Sequence, residues 1–163
     1  MSQISRLQVR RLTEESSIRI FAISPATLRA GRDSSLWRDA RHSMEAAIDF
    51  GHDVGVTLGL GHRIDLSEST YLSSSLAQLL LPLVERFAGL FCTGGETARA
   101  LLNAAGAAGI RLVGEIEPGI PLGTAEGGCH LAIVTKAGAF GTPETLVHCR
   151  TALRRFLAQR TQI

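Results

Sequence analysis

The stretch Phe91-Cys92-Thr93-Gly94-Gly95-Glu96-Thr97-Ala98-Arg99-Ala100 decides the fold. The short apolar run from Gly89 to Cys92 has the length and composition of a buried strand. It breaks at Gly94-Gly95, and apolar residues return with helical spacing at Ala98, Leu101, Leu102 and Ala105. Strand, glycine turn and helix start form a unit able to hold a phosphate. Glycine lets the backbone approach an anion, the free N–H groups of the first helical turn point at it, and the helix dipole adds about half a positive charge. The G-x-x-x-x-G-K-[ST] spacing of the common P-loop and its lysine are missing. A plainer reading of the same residues makes Thr93 or Thr97 a cap and Glu96 an acidic residue suited to a helix N-terminus.

On the N-terminal side of this unit, residues 3–12 place Ile4, Leu7 and Leu12 on one side of a short helix. Ser17 to Ile23 alternates as a strand does, with Ile18, Ile20 and Ala22 on one face. A polar link from Ser24 to Ser34, with Pro25 and Gly31, leads to a helix over 35–50. Asp33, Ser34 or Ser35 can cap that helix, and Leu36, Ala40, Met44, Ala47 and Ile48 form its expected buried stripe. Asp53 to Leu60 reads as a second strand, followed by a loop from Gly59 and Gly61 to Ser69. The leucine-rich run from Tyr71 to Ala88 is a helix, interrupted or bent near Pro82.

On the C-terminal side the helix is expected to run to about Ala107. Ile110 to Ile116 is strand-like, Pro118-Gly119-Ile120-Pro121 is a stiff turn, and Gly127-Gly128 is another. Cys129 to Thr135 forms a further buried strand ending at Lys136. A second glycine loop, Lys136-Ala137-Gly138-Ala139-Phe140-Gly141, precedes a last helix from about Thr142–Glu144 to Gln159. Strands alternating with helices predict an α/β domain of three layers, with a largely parallel sheet flanked by helices. There is no internal repeat.

Ligands of open α/β sheets bind beyond the carboxyl ends of the strands, and both glycine loops follow strands and precede helices. The second loop brings a lysine that the first lacks. Lys136 is a candidate to neutralise part of a phosphate chain; the alternative is a strand-end lysine reaching into water.

Bulk properties restrict the other possibilities. The chain has 163 residues, 45 % of them apolar, which is enough for one domain with a core. The net charge of +2 and the few aromatics give no case for nucleic acid. Arginines gather near the ends (Arg6, Arg10, Arg11; Arg150, Arg154, Arg155, Arg160) and read as solvated helix faces. Slightly positive mean hydropathy suggests a face hidden by a partner or another domain; Ala and Leu in well-buried helices would also account for it. Cys92, Cys129 and Cys149 match no common zinc spacing, and Cys92 and Cys129 lie in apolar runs where thiols are usually inert. With no signal peptide and no apolar run of about 20 residues, the expectation is a soluble, cytoplasmic protein.

Three ordered motifs carry a resemblance: Thr93-Gly94-Gly95-Glu96-Thr97-Ala98, then Gly114-Glu115-Ile116-Glu117-Pro118-Gly119-Ile120-Pro121, then Thr135-Lys136-Ala137-Gly138-Ala139-Phe140-Gly141. They resemble the signatures of the four-carbon acid sugar kinases, in the C-terminal nucleotide-binding domain of that family. The resemblance covers essentially the whole chain, more weakly before residue 88. Some members carry an older label as Hrp-dependent type III effectors. It implies a kinase-type transferase domain of carbohydrate metabolism that binds ATP with Mg²⁺. In the family the γ-phosphoryl group goes to a hydroxyl of a threonate- or tetronate-type acid. Carried over by motif, Gly94, Gly95, Glu96 and Thr97 would contact the ATP phosphates and Gly138 would line the other side of the pocket. Lys136 and Gly141 belong to the same matching motif, and the middle motif would form a wall. No catalytic residue and no protein-held metal is implied.

The sequence departs from the family in what it lacks. The family's sugar-acid domain has no counterpart, and Met1-Ser2-Gln3-Ile4 matches the inside of a helix that usually follows an opening strand and a Gly-Ser loop. Residues 1–163 are therefore expected to form a nucleotide-binding domain truncated at its N-terminus, not competent in phosphoryl transfer alone. A separately encoded sugar-acid-binding domain and a homo-oligomer are the partners expected, with neither nucleic acid nor membrane. The alternative is a non-enzymatic, effector-like interaction module with a vestigial nucleotide pocket.

Overall fold

The computed structural model describes residues 2–59 and 66–160. Helix α1 (Gln3–Glu15) starts at Ser2, whose Oγ accepts from the Ser5 N–H. Strand β1 (Arg19–Ile23) follows, then α2 (Pro25–Ala30), α3 (Ser35–Asp49) and β2 (Val54–Leu58). A 3₁₀ turn (Leu66–Glu68) leads into α4 (Ser69–Val84), then β3 (Gly89–Thr93) and α5 (Gly95–Ala104). The chain ends with β4 (Ala107–Glu117), β5 (Ile120–Gly127), β6 (Ala132–Lys136) and α6 (Thr145–Arg160).

The strands form two sheets. In the first, β1 and β2 run parallel, from Arg19 beside Val54 to Ile23 beside Leu58. The second has the order β3-β6-β5-β4. Its β3–β6 pair is parallel, with Thr93 beside Lys136, while β5 runs antiparallel to both β6 and β4. Successive residues of β3 face opposite ways. Cys92 belongs to the large core with α3, α4 and α5, whereas Phe91 joins Ile120, Val134 and Cys149 beneath α6. The second sheet thus lies between α5 and α6, the helix–sheet–helix layering of an α/β domain.

Several elements differ from the sequence reading, each for a local reason. The supposed link from Ser24 to Ser34 contains α2, because the Ser24 Oγ accepts from the Thr27 N–H, Pro25 suits the first helical position, and Leu28 is buried. In α3 the stripe begins at Trp37, 5 % exposed, and Leu36 is 52 % exposed; one position along a helix turns a side chain by about 100°. The helix over residues 69–84 contains Pro82 in its last turn and stops two residues later, at Val84. After the glycine turn, α5 ends at Ala104. Gly106, at a φ of 72°, turns the chain directly into a long hairpin. Pro118-Gly119 is the tip of that hairpin, and Ile120-Pro121 opens β5 rather than completing a stiff loop. The loop expected from Gly59 to Ser69 falls partly on residues 60–65, outside the described residues.

The terminal arginines are not all solvated. Arg150 Nε donates to Asp53 at 2.6 Å and Arg154 donates to both oxygens of the same carboxylate, which fastens α6 to the start of β2. Cys92 and Cys149 are buried, and burial pushes each thiol up to about 12. Cys129 is half-buried. No three His, Cys, Asp or Glu side chains among the described residues are grouped to hold a metal ion.

Candidate functional site

Parallel pairing of β3 with β6 places the two glycine loops side by side, since both begin where these strands end. The Gly94 N–H donates to the Lys136 carbonyl at 2.8 Å, so the first turn leaves the sheet at the root of the second loop. Gly94 is the N-cap of α5 at a φ of 96°, a conformation costly for a residue with a Cβ. Its carbonyl accepts from the Ala98 N–H. Among the described residues, the N–H groups of Gly95, Glu96 and Thr97 find no acceptor, and no side chain caps them. A Cβ added at Gly94 or Gly95 would meet nothing within 4 Å. Three donors unpaired among the described residues thus stand at a helix N-terminus, beside glycines that let an anion approach the backbone closely.

Glu96 is turned away from these donors. Its carboxylate accepts from Ser69 Oγ and Thr70 Oγ1, both at 2.5 Å, so it joins the N-termini of α4 and α5. Those hydrogen bonds hold its pKa below the usual carboxylate range. A cavity of about 260 Å³ lies in front, lined by Gly94, Gly95, Glu96 and Thr97 with Leu58, Ser69, Leu72 and Ser73. A second, polar cavity of about 420 Å³ runs between α4 and α5 past Arg99 and Asn103, sharing Ser73 and Glu96 with the first. The sequence pattern did not expose Ser69, Thr70 and Ser73 as part of this site; hydroxyl residues opening a helix were the available signal.

The second loop is built differently. Lys136 does not reach into water: it is 3 % exposed, and its Nζ donates to the carbonyls of Ala137, Gly138 and Phe140 at 2.9, 3.0 and 3.1 Å. Burial lowers its pKa. From α1, Ser5 Oγ donates to the Gly138 carbonyl at 2.5 Å, and Gln8 Nε2 donates to those of Phe140 and Thr142 at 2.9 and 2.8 Å. At the far end Gly141, at a φ of 85°, packs on Thr145, leaving no room for a Cβ. Thr145 Oγ1 accepts from the Thr142 N–H and donates to Glu117 Oε2 at 2.7 Å. Glu117 also meets His148 Nδ1 at 2.6 Å, and that hydrogen bond lowers its pKa.

The middle motif comes to the same place. A Cβ on Gly119 at the hairpin tip would lie 2.9 Å from the Phe140 ring. All three motifs therefore meet at one end of the second sheet. What the structure does not do is put Lys136, Gly138 or Gly141 on the walls of either cavity.

A parallel α/β edge with free helix-terminal donors, two glycine loops and an adjoining cavity defines a domain of the nucleotide-binding class. The comparisons agree. The family model described as "Nucleotide-binding C-terminal domain" matches residues 1–146. The chain is 38 % identical over 156 residues to a D-threonate kinase of Cupriavidus necator, covering 94 % of this chain and 38 % of that protein. It is 34 % identical over 149 residues to a D-threonate kinase of Bordetella bronchiseptica, covering 86 % and 36 %. A solved Bordetella bronchiseptica structure, a domain-swapped dimer with bound citrate, superposes with a TM-score of 0.71 at 33 % identity. It covers 93 % of this chain and 38 % of that one. This chain belongs to the nucleotide-binding C-terminal domain family of the four-carbon acid sugar kinases. It spans little more than a third of the length of the relatives named here.

Proposed function

We propose that this chain is the ATP-holding part of an acid sugar kinase, with the phosphates received at Gly94, Gly95, Glu96 and Thr97. The observation that carries this reading is the trio of N–H groups at residues 95–97 without an acceptor among the described residues, beside two glycines whose added Cβ would meet none of those residues within 4 Å. The adjoining cavity of about 260 Å³ suits a phosphate chain better than a whole nucleotide, and the polar groove between α4 and α5 extends it. Gly138 and Gly141 belong to the facing loop, and Lys136 contributes from beneath it.

Backbone donors bind and orient the phosphates; Mg²⁺, when bound with ATP, neutralises charge on the transferred group. Magnesium commonly rests on substrate phosphates and one or two carboxylates, so a protein cage is not required. In-line transfer to a hydroxyl of a threonate-type acid needs an acceptor held at the γ-phosphate. A separate sugar-acid-binding domain is the partner proposed to supply it. Assembly as a homo-oligomer in the cytoplasm completes the reading. Support comes from the D-threonate kinase names of the relatives and from the domain-swapped dimer of the similar Bordetella bronchiseptica structure. No described helix is long and apolar enough to cross a membrane.

Titration calorimetry with Mg²⁺-ATP tests the first step. Saturable binding with a dissociation constant in the micromolar to low millimolar range is expected, and no heat at millimolar nucleotide overturns the reading. A coupled assay with D-threonate is expected to stay silent for the chain alone and to turn over when the acceptor-binding polypeptide is added.

A further inference from the structure

Four of the five buried polar side chains of the described residues (Ser5, Gln8, Lys136 and Thr145) serve one six-residue loop. The loop itself is exposed from Ala137 to Thr142, so these side chains form a polar floor under a solvent-facing arch. The floor binds carbonyls. Lys136, Ser5 and Gln8 together donate six hydrogen bonds to the carbonyls of Ala137, Gly138, Phe140 and Thr142.

A trans peptide unit points its C=O and the following N–H in opposite directions, and no peptide bond of the described residues is cis. Drawing the carbonyls of Ala137, Gly138 and Phe140 inward therefore turns the N–H groups of Gly138, Ala139 and Gly141 outward. None of these three has an acceptor among the described residues. The arrangement is a set of outward-turned donors over a buried cation, which favours an anion through both hydrogen bonds and field.

We infer that Lys136 and Gln8, with Ser5, are positioning residues that hold loop 137–141 with its N–H groups facing the nucleotide phosphates, and that Lys136 does not touch the phosphates itself. This rests on the nucleotide reading above and adds to it the residues that shape the second wall. Gln8 carries an independent sign of that purpose. It is fully buried with Nε2 shared between two carbonyls, yet its Oε1 has no partner among the described residues. A leucine there would spare the fold an unsatisfied acceptor, so the amide is explained by what it does to the loop.

The test follows backbone amide resonances of the whole chain during titration with Mg²⁺-ATP and, separately, with inorganic tripolyphosphate. In the wild type, the Gly138, Ala139 and Gly141 amides are expected to shift along with those of Gly95 to Thr97. Gln8→Leu and Lys136→Met are each expected to weaken binding about tenfold, the scale of a lost charge-assisted contact. The double variant should lose little more than either single one, because both side chains hold the Phe140 carbonyl. Ser5→Ala, which removes one of the six bonds, should give a milder loss, and thermal unfolding verifies that each variant is folded. If Gln8→Leu binds as the wild type does while Lys136→Met is crippled, or if the losses multiply, Lys136 meets the phosphate directly and the inference fails. If ATP shifts only the amides near Gly94, the nucleotide reading stands and the inference falls. If neither probe binds the wild type, both fall.

Discussion

The backbone N–H of Gly94 donates to the carbonyl of Lys136 across 2.8 Å, and this one bond ties the first glycine turn to the second. It is the last rung of the parallel β3–β6 ladder. The points at which the two loops leave the sheet are consequently set by the β3–β6 pairing. A site assembled on strand ends in this way is held by elements with little freedom to move.

Gly94 and Gly95 separate strain from occupancy. Gly94→Val forces a branched side chain into a positive φ and is expected to cost about 1–3 kcal/mol of stability. Gly95 has no such φ, and its Cβ would meet nothing. Gly95→Val should unfold in urea close to the wild type yet lose ATP binding, because the valine occupies the space in front of the helix. Normal affinity in Gly95→Val would remove the phosphate from this turn.

Three carboxyls set an acid limit. Burial alone would raise Asp53, but hydrogen bonds and charge from Arg150 and Arg154 outweigh it and leave the pKa low; Glu96 and Glu117 are lowered mainly by hydrogen bonds, from Ser69 and from His148. Each folded-state pKa lies below its unfolded value of about 4, so the stabilisation is complete above that pH and is lost as pH falls through the folded values. Urea midpoints should be flat from about pH 5 to 7 and drop below about pH 4. Asp53→Asn should lower the stability at neutral pH by about 1 kcal/mol, given the partial exposure of the pair, and blunt the acid drop.

Thr145 is fully buried and ties the α6 start to both the loop and the hairpin. Thr145→Val keeps the shape but leaves the Thr142 N–H and the Glu117 carboxylate each short of a partner. A loss of about 1–3 kcal/mol is expected in chemical denaturation, and a value near zero would show that water substitutes at both groups.

The α3 stripe is tested by a pair of alanine variants. Trp37→Ala should cost about 3–5 kcal/mol because it empties a packed position in the large core. Leu36→Ala, at a half-exposed position, should stay within about 0.5 kcal/mol of the wild type.

The strand–turn–helix unit at residues 89–104 could be read directly because every signal in it is local: an apolar run, two glycines, a helical repeat. The α/β class followed from alternation of such units. The antiparallel hairpin was harder to read, since Pro118-Gly119-Ile120-Pro121 looks like punctuation until Ile120 is seen fully buried at the head of β5. The sequence offers Lys136 as a charge for a phosphate chain or as a strand-end lysine reaching into water; only tertiary packing shows its Nζ surrounded by its own loop's carbonyls. Gln8 and Ser5 were invisible as loop partners for the same reason. No period or spacing links a side chain near the beginning of a chain to a carbonyl near its end.

That separation has a kinetic consequence. The bonds from Ser5 and Gln8 to Gly138, Phe140 and Thr142 span 132 to 134 residues of chain. Contacts so far apart in sequence form only after the intervening elements have condensed, because the closure entropy of the long segment must first be met. The second loop is thus among the last parts of the molecule to acquire its shape. A refolding chain should regain helical signal before it regains affinity for nucleotide, which makes ATP binding a late reporter of complete folding.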